Sequence, residues 1–577
     1  MNNNFAIKLW KILSFQDKKR SLFLFFLILI AVSLEVIGIG MIIPTIIFFL
    51  EDDISNKYPS LVAVLNLFSI DQDRISLIKF SLIILITIFL IKNLFLSFFS
   101  LYESRFAWGV QAEIQRRLFK HYINQSLTFH NKRNSGKLIN NITKEIQIFY
   151  HVLMNTVILF SEIFIFFGIS SLLIYYEPIA FFSVVIVSSI VIYFYNLITM
   201  NKLLKLGQVR QKEDGLIIQK IQQSLGGIRE VKIYNRELGF FNLFKKSNEE
   251  LYKISWLNQF IQKIPRLLVE FSIIFSMIIV ILTFINLNYN TNYIITVLGL
   301  FAVAAVRILP SLTRIYVSIQ SIKFGLPAIN LLSKELGEIK TTSVTQIKNS
   351  QRFLFSNEIN VKNVCFSYPE KKDEIFQGVN LNIKKGDFIG IQGISGSGKS
   401  TLVDIILGLL EPSKGQILVD GHDIKKNMLG WQKNISYVPQ NVFLTDDKLS
   451  RNIAFGINDK DIDLKKIKKA VEQAELDSYV SSLPRGLDTE LGERGARLSG
   501  GQKQRIGIAR ALYNQQEILV LDETTSSLDS ETEKKIFNTI KKLQKNRTVI
   551  IISHNKKLMD ICKNIYSISN KQLIKIK

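Results

Sequence analysis

Six stretches of this chain are apolar for about 18 to 30 residues each, at about 21–50, 77–99, 152–176, 178–195, 267–286 and 294–316. That feature closes off most folds. A helix that crosses a bilayer needs about 20 mostly apolar residues. A helix that packs on a soluble core keeps a polar face instead. These runs are apolar all round, so they are predicted to span a membrane. All six end before about residue 325, where the composition changes. The chain therefore reads as a six-helix transmembrane domain over 1–330, a linker over 331–352 and a soluble domain over 353–577.

Flanking charges give the direction of threading. Lys8, Lys11, Lys18, Lys19 and Arg20 precede the first run, and Glu51, Asp52 and Asp53 follow it. The connections after the second and fourth runs are long and basic, with Arg116, Arg117 and Lys120 in one and Lys202, Lys205 and Arg210 in the other. Cationic flanks stay in the cytoplasm. Both connections and both termini are thus expected in the cytoplasm. Both connections are helical in pattern and should project well beyond the bilayer. The outer segment Tyr58–Ile70 is short and apolar, and is expected either to lie on the outer leaflet or to pack as an external turn of helix. The net charge of +24 raises the possibility of nucleic-acid binding. The basic residues flank apolar runs, however, and form no stripe interleaved with aromatics, so no nucleic-acid partner is expected. The 2 cysteines and 5 histidines show no zinc-ligand spacing.

The soluble part carries the chemistry. "DFIGIQGISGSGKSTLVDIILGLL" reads as strand, glycine loop and helix. The loop runs through Gly393, Ile394, Ser395, Gly396, Ser397, Gly398, Lys399, Ser400 and Thr401. Its glycines let backbone N–H groups close around phosphates, and the helix that follows points its positive end at them. Lys399 is placed to reach the β- and γ-phosphates of ATP, and Ser400 to ligate Mg²⁺. Further on, "EILVLDETTSSLD" is an apolar strand ending in Asp522 and Glu523. Carboxylates at the C-terminal edge of a parallel sheet stand where α/β folds bind ligands. Asp522 is expected to hold Mg²⁺, and Glu523 to act as general base toward water.

"LSGGQKQR", Leu498 to Arg505, resembles the signature of ATP-binding-cassette (ABC) proteins. Six spans followed by one cassette resemble a type I ABC exporter built as a half-transporter. The resemblance implies roles for further residues. Tyr368 would stack on adenine, Gln440 would touch Mg²⁺, and His554 would hold the γ-phosphate. Asp529 would contact the facing cassette. Residues Thr489 to Gly495, "TELGERG", would meet the membrane domain. Ser499, Gly500 and Gly501, with Gln502, would close on nucleotide held by the other cassette. One cassette per chain then implies a dimer, most simply of two identical chains. No station departs from the family pattern, so neither site of that dimer is expected to be degenerate.

Four cations mark a candidate cargo site in the spans: Lys92, Arg266, Arg307 and Arg314. Arg307 would lie about 20 Å below the outer boundary of its helix. Arg307, Ser311, Arg314, Ser318 and Ser321 recur at helical spacing, so they predict one polar face along a wet cavity. Glu35, Glu162 and Glu270 are the competing ion-pair partners, with Glu270 one turn from Arg266. A basic inner-leaflet cavity would suit an anionic lipid head group, because guanidinium donors match phosphate. The placement of "FSEIFIF", "IPRLLVEF" and "AVRILPSLTRI" is similar to that in bacterial lipid-linked oligosaccharide flippases. That likeness implies a polyprenyl-pyrophosphate glycan as cargo; lipid A, a peptide or a drug is the alternative. The six spans argue strongly against a non-transport ATPase acting on nucleic acid or ribosomes. A gated channel is disfavoured by Glu523, since channels tolerate a broken catalytic site.

Overall fold

The apolar runs become long helices, several of which continue well past the hydrophobic stretch. The computed structural model describes residues 3–41, 45, 74–176, 178–289, 291–338, 352–368, 373–524, 530–543 and 547–577. Side chains at 291–305 and at 307 are outside that description, as are the segment Tyr58–Ile70 and Asp529. The chain forms two compact units, Met1–Gln125 with Phe129–Lys340, and Ser126–Thr128 with Thr341–Lys577.

The first unit is helical. Its main helices are α1 (Asn3–Ile12), α2 (Phe15–Gly40), α3 (Arg74–Ile123), α4 (Ile146–Tyr176), α5 (Pro178–Gly226), α6 (Glu237–Asn286) and α7 (Thr291–Gly337). Six stretches among the described residues are long and apolar enough to cross a membrane: Phe15–Gly38, Ile78–Ile123, Ser135–Ser171, Phe181–Gly226, Glu237–Asn286 and Ile308–Gly337. α3 and α6 each run for 50 residues, or about 75 Å at 1.5 Å per residue. The basic connections are therefore largely continuous with the spans. Beyond the apolar stretch, interlocking polar contacts hold the helices together. A π-helical turn, Asn141–Glu145, leads into α4 and buries Glu145 completely. Arg210 of α5 donates to both Glu145 oxygens at 3.1 Å, and Gln211 adds a third bond at 2.9 Å.

Close backbone approach fixes α5 against α7. A Cβ on Gly207 would stand 2.1 Å from the carbonyl oxygen of Phe324, which cannot swing away. Small residues at such crossings are how membrane helices reach contact distance. Gly207→Ala is expected to force the two helices apart at a cost of about 1–3 kcal/mol. A lower melting midpoint in detergent would show it, and an unchanged midpoint would mean that the helices separate freely.

The second unit has two sheets. The first is antiparallel, in the order β2-β1-β4-β5, from β1 (Glu358–Phe366), β2 (Phe376–Lys384), β4 (Lys414–Val419) and β5 (His422–Asp423). The second has the order β10-β9-β3-β8-β7-β6, from β3 (Phe388–Gln392), β6 (Ile435–Val438), β7 (Ile518–Asp522), β8 (Thr548–Ile552), β9 (Asn564–Ser569) and β10 (Gln572–Lys575). β6, β7, β8, β3 and β9 run parallel, and β10 closes the edge antiparallel. All five residues of β7 and of β8 are buried, as expected for strands covered on both faces. Cys365 and Cys562 are both free thiols.

Candidate functional site

β3 leads straight into the glycine loop, and the loop into helix α8 (Lys399–Ile406). Gly398 turns the chain at φ +99°, a left-handed conformation that side chains rarely take. A Cβ there would meet Ile375 at 2.8 Å and Phe376 at 2.9 Å. Lys399 is buried, and its ammonium donates to the carbonyls of Gly393 at 2.8 Å and Ile394 at 3.2 Å. Ser397 Oγ is buried without a protein partner, so the loop keeps hydrogen-bonding capacity for a group from outside the chain. A phosphate chain fits that cradle, because it would take hydrogen bonds from Ser397 and charge from Lys399. Ile394, Ser395 and Gly396 form the exposed crest of the loop, and Ser400 is exposed beside it. Tyr368 packs edge-on against Phe366 at 5.1 Å, and its hydroxyl lies 3.3 Å from that of Thr401.

The parallel sheet brings the acids to the same end. Asp522 ends β7 and is 5% exposed. Glu523 follows at φ +47°, an uncommon conformation for a residue with a side chain. That turn aims Glu523 at two partners. Gln440 Nε2 donates to its Oε2 at 2.6 Å, and His554 Nε2 lies 3.5 Å from its Oε1. The fold thus gathers Glu523, Gln440 and His554, which lie far apart in sequence.

Two further residues belong to the cluster and escape sequence reasoning. Tyr437 donates its hydroxyl to Asp522 Oδ2 at 3.4 Å. Burial, reinforced by the Asp522 charge, lifts its phenol well above the ordinary range. Asp404 of α8 is pushed up to about 6, first by burial and then by the charge of Asp522. Asp522 itself is raised by burial and by Glu523. The only sequence signal for Asp404 is a lone acid in an apolar helix.

A carboxyl whose pKa is raised on folding lowers stability wherever it is ionised. For Asp404 that cost is absent below about pH 4, the unfolded value, and complete above about pH 6. Asp404→Asn should therefore raise the melting midpoint of nucleotide- and metal-free protein at pH 7.5. The gain should be about 1–2 kcal/mol after allowing for solvent screening, and should shrink by about half near pH 5. A destabilised variant at pH 7.5 would rule this out.

The signature segment makes its own helix start. Ser499 caps α9 (Gly500–Tyr513): its hydroxyl accepts from Gln502 N at 3.2 Å, and Gln502 Oε1 accepts from Ser499 N at 2.8 Å. Gly500 is exposed and Gly501 half-buried at a helix N-terminus suited to anions. Among the described residues, no hydrogen bond or ion pair links Ser499–Gln502 to the glycine loop of the same chain.

In the membrane unit two of the candidate cations, Lys92 and Arg314, have carboxylate partners. Lys92 lies 3.5 Å from Glu35, with both side chains buried. Arg314 donates to Glu162 Oε1 at 2.7 Å, and Ser311 donates to the other oxygen of that carboxylate. Arg266 and Glu270 are both exposed and form no ion pair with each other. Ser311 and Ser318 are fully buried between helices and do not line open water. A cavity of about 360 Å³ lies among α2, α3, α4 and α7, walled by Glu35, Lys92, Glu103, Glu162 and Arg314 together with apolar residues. Its described lining is mixed in charge, with three carboxylates to two cations, where the sequence led us to expect a basic one. The reason is packing: carboxylates on α2 and α4 face the cations of α3 and α7, a pairing invisible along one helix.

Comparison with known proteins places these features in a family. Residues 22–309 match the family described as ABC transporter transmembrane region, and residues 376–526 match the family ABC transporter. An ATP-dependent lipid A-core flippase of Wigglesworthia glossinidia brevipalpis is 30% identical over 477 residues, covering 77% of this chain and 76% of that protein. A protein of the same name from Yersinia pestis is 28% identical over 476 residues, covering 81% and 79%. A solved bacterial Atm1-family ABC exporter with ATP bound shares the fold, with TM-score 0.76 and 19% identity, over 96% of this chain and 94% of that one. With its six-span unit followed by a nucleotide-binding unit, the chain belongs to the ABC transporter family as a half-transporter of the exporter type.

Proposed function

We propose that this exporter is an ATP-driven lipid flippase that moves a lipid with a phosphorylated saccharide head group from the inner to the outer leaflet. It would work as a homodimer in a bacterial inner membrane, with both termini in the cytoplasm. The observation that carries this reading is the charged cavity within the membrane helices. Among the described residues Arg314 donates only through Nη1, to Glu162, and its side chain is 57% exposed, so guanidinium donors remain for a phosphate. The relatives named for lipid A-core make a glycolipid of that class the leading cargo. A polyprenyl-pyrophosphate glycan has the same phosphate-on-sugar chemistry, and the "IPRLLVEF" and "AVRILPSLTRI" placements keep it as the second reading.

In the cassette, ATP supplies a phosphoanhydride whose hydrolysis drives transport. Lys399 and the backbone of Gly393–Thr401 would bind its phosphates, and Tyr368 its adenine. Ser400, Gln440 and Asp522 offer the hard oxygen donors that Mg²⁺ prefers. Glu523 would take a proton from water on its carboxylate, held in orientation by Gln440, while His554 stands at its other oxygen. Asp529 and Ser499–Gln502 would serve the facing chain.

Reconstituted protein should translocate a fluorescent lipid A-type glycolipid in an ATP-dependent manner. A pyrophosphate-linked glycan lipid run in parallel would separate the two cargo readings. If neither lipid moves above the ATP-free rate, the flippase reading fails.

A further inference from the structure

The cavity wall carries an acid that a purely anionic head group does not explain. Of its five charged side chains, three are already committed. Glu162 spends one oxygen on Arg314 and the other on Ser311. Glu35 and Lys92 face each other, and the Lys92 ammonium also lies 4.2 Å above the ring of Phe89. The two groups with capacity left are Arg314 and Glu103. Glu103 is half-buried on the cavity wall and makes no hydrogen bond or ion pair with any described residue.

Its position on α3 is informative. Lys92, Leu96, Phe99 and Glu103 all line the cavity and follow one another at steps of four, three and four. One helix face thus carries a paired cation at one end and an open carboxylate at the other, about 16 Å apart along the axis. Glu103 also stands four residues beyond the apolar run that ends at about 99, at the level where lipid head groups lie. With no partner among the described residues, this half-buried carboxylate keeps hydrogen-bonding and charge-pairing capacity for a group that enters the cavity.

We propose that Glu103 receives a cationic amine on the head group of the transported lipid, while the open donors of Arg314 take its phosphate. The cargo class is then zwitterionic: an amine-bearing phosphorylated glycolipid. This rests on the reading that the protein flips such lipids, and it adds a recognition element to that reading.

The test uses full-length protein in phosphatidylglycerol vesicles with two matched probes. Both are phosphorylated glucosaminyl lipids with the same acyl-chain fluorophore; one has a free amine and the other is N-acetylated. Wild-type protein should translocate the free-amine probe about tenfold faster or more, the range of a charge-assisted contact. Glu103→Gln should erase the preference. Glu103→Asp keeps the charge and should keep the preference, which separates lost recognition from lost folding. Equal wild-type rates for the two probes, or a preference that survives Glu103→Gln, would overturn the assignment. Movement of neither probe would instead remove the flippase reading itself, and this inference with it.

Discussion

Glu523→Gln is expected to bind ATP as wild type does and to hydrolyse it about 10²–10⁴-fold more slowly, the usual contribution of a positioned base. The geometry separates the two effects. Binding is assigned to the glycine loop, where Lys399 is held by the carbonyls of Gly393 and Ile394, whereas Glu523 is held by Gln440 and stands beside His554. The substituted amide keeps the shape of the side chain and can still turn its oxygen to Gln440, so the strand end should hold its place. What disappears is the carboxylate lone pair that accepts the proton of water. Single-turnover hydrolysis and nucleotide binding, measured on the same preparation, distinguish these outcomes. Turnover near the wild-type rate would remove Glu523 from the role of base. A loss of binding equal to the loss of turnover would mean that the residue builds the site and has no part in the chemistry.

The site was more legible in the sequence than the cavity, and the physics explains the difference. The glycine loop is local: strand, turn and helix lie within one stretch, and each residue type is fixed by the phosphate it approaches. The acids of β7 were legible because a fully apolar strand can end in carboxylates only at a sheet edge. Two neighbours of Asp522 were hidden. Tyr437 reaches Asp522 across adjacent strands, and Asp404 reaches it from the helix after the loop; neither has a spacing that a linear reading would single out. Hydropathy found six spans but understated their length, since it detects where lipid ends and not where the helix ends. α3 continues to Ile123, past an apolar run that stops near 99. Charge placement located Lys92 and Arg314 and named Glu35, Glu162 and Glu270 as competing partners, but it left open that Glu162 meets Arg314, because the two are separated by 152 residues and meet only when α4 packs on α7.

Mixed dimers should show which chain completes which site. Lys399→Ala removes the ammonium assigned to the phosphates, and homodimers of that variant should lose about 10²–10³-fold in ATPase. Gly500→Glu places a side chain and a negative charge at the N-terminus of α9, where a phosphate from the facing chain is proposed to sit. Its homodimers should be comparably inactive. Coexpressing the two variants joins the intact loop of one chain to the intact signature of the other. One composite site is then whole, and ATPase should rise well above both parents. Placing both substitutions in one chain and pairing it with wild type does the opposite: each composite site then contains one damaged half, so that heterodimer should stay inactive. Sites completed within a single chain demand the reverse pattern, with activity in the second mixture and none in the first. Ser499 and Gln502 already satisfy each other in the capping box, and the segment makes no hydrogen bond or ion pair to the loop of its own chain among the described residues. That geometry leaves the N-terminus of α9 open to nucleotide held by a facing chain, which is what the first mixture tests. Activity confined to the second mixture would assign both halves to one chain and leave the dimer without a role in hydrolysis.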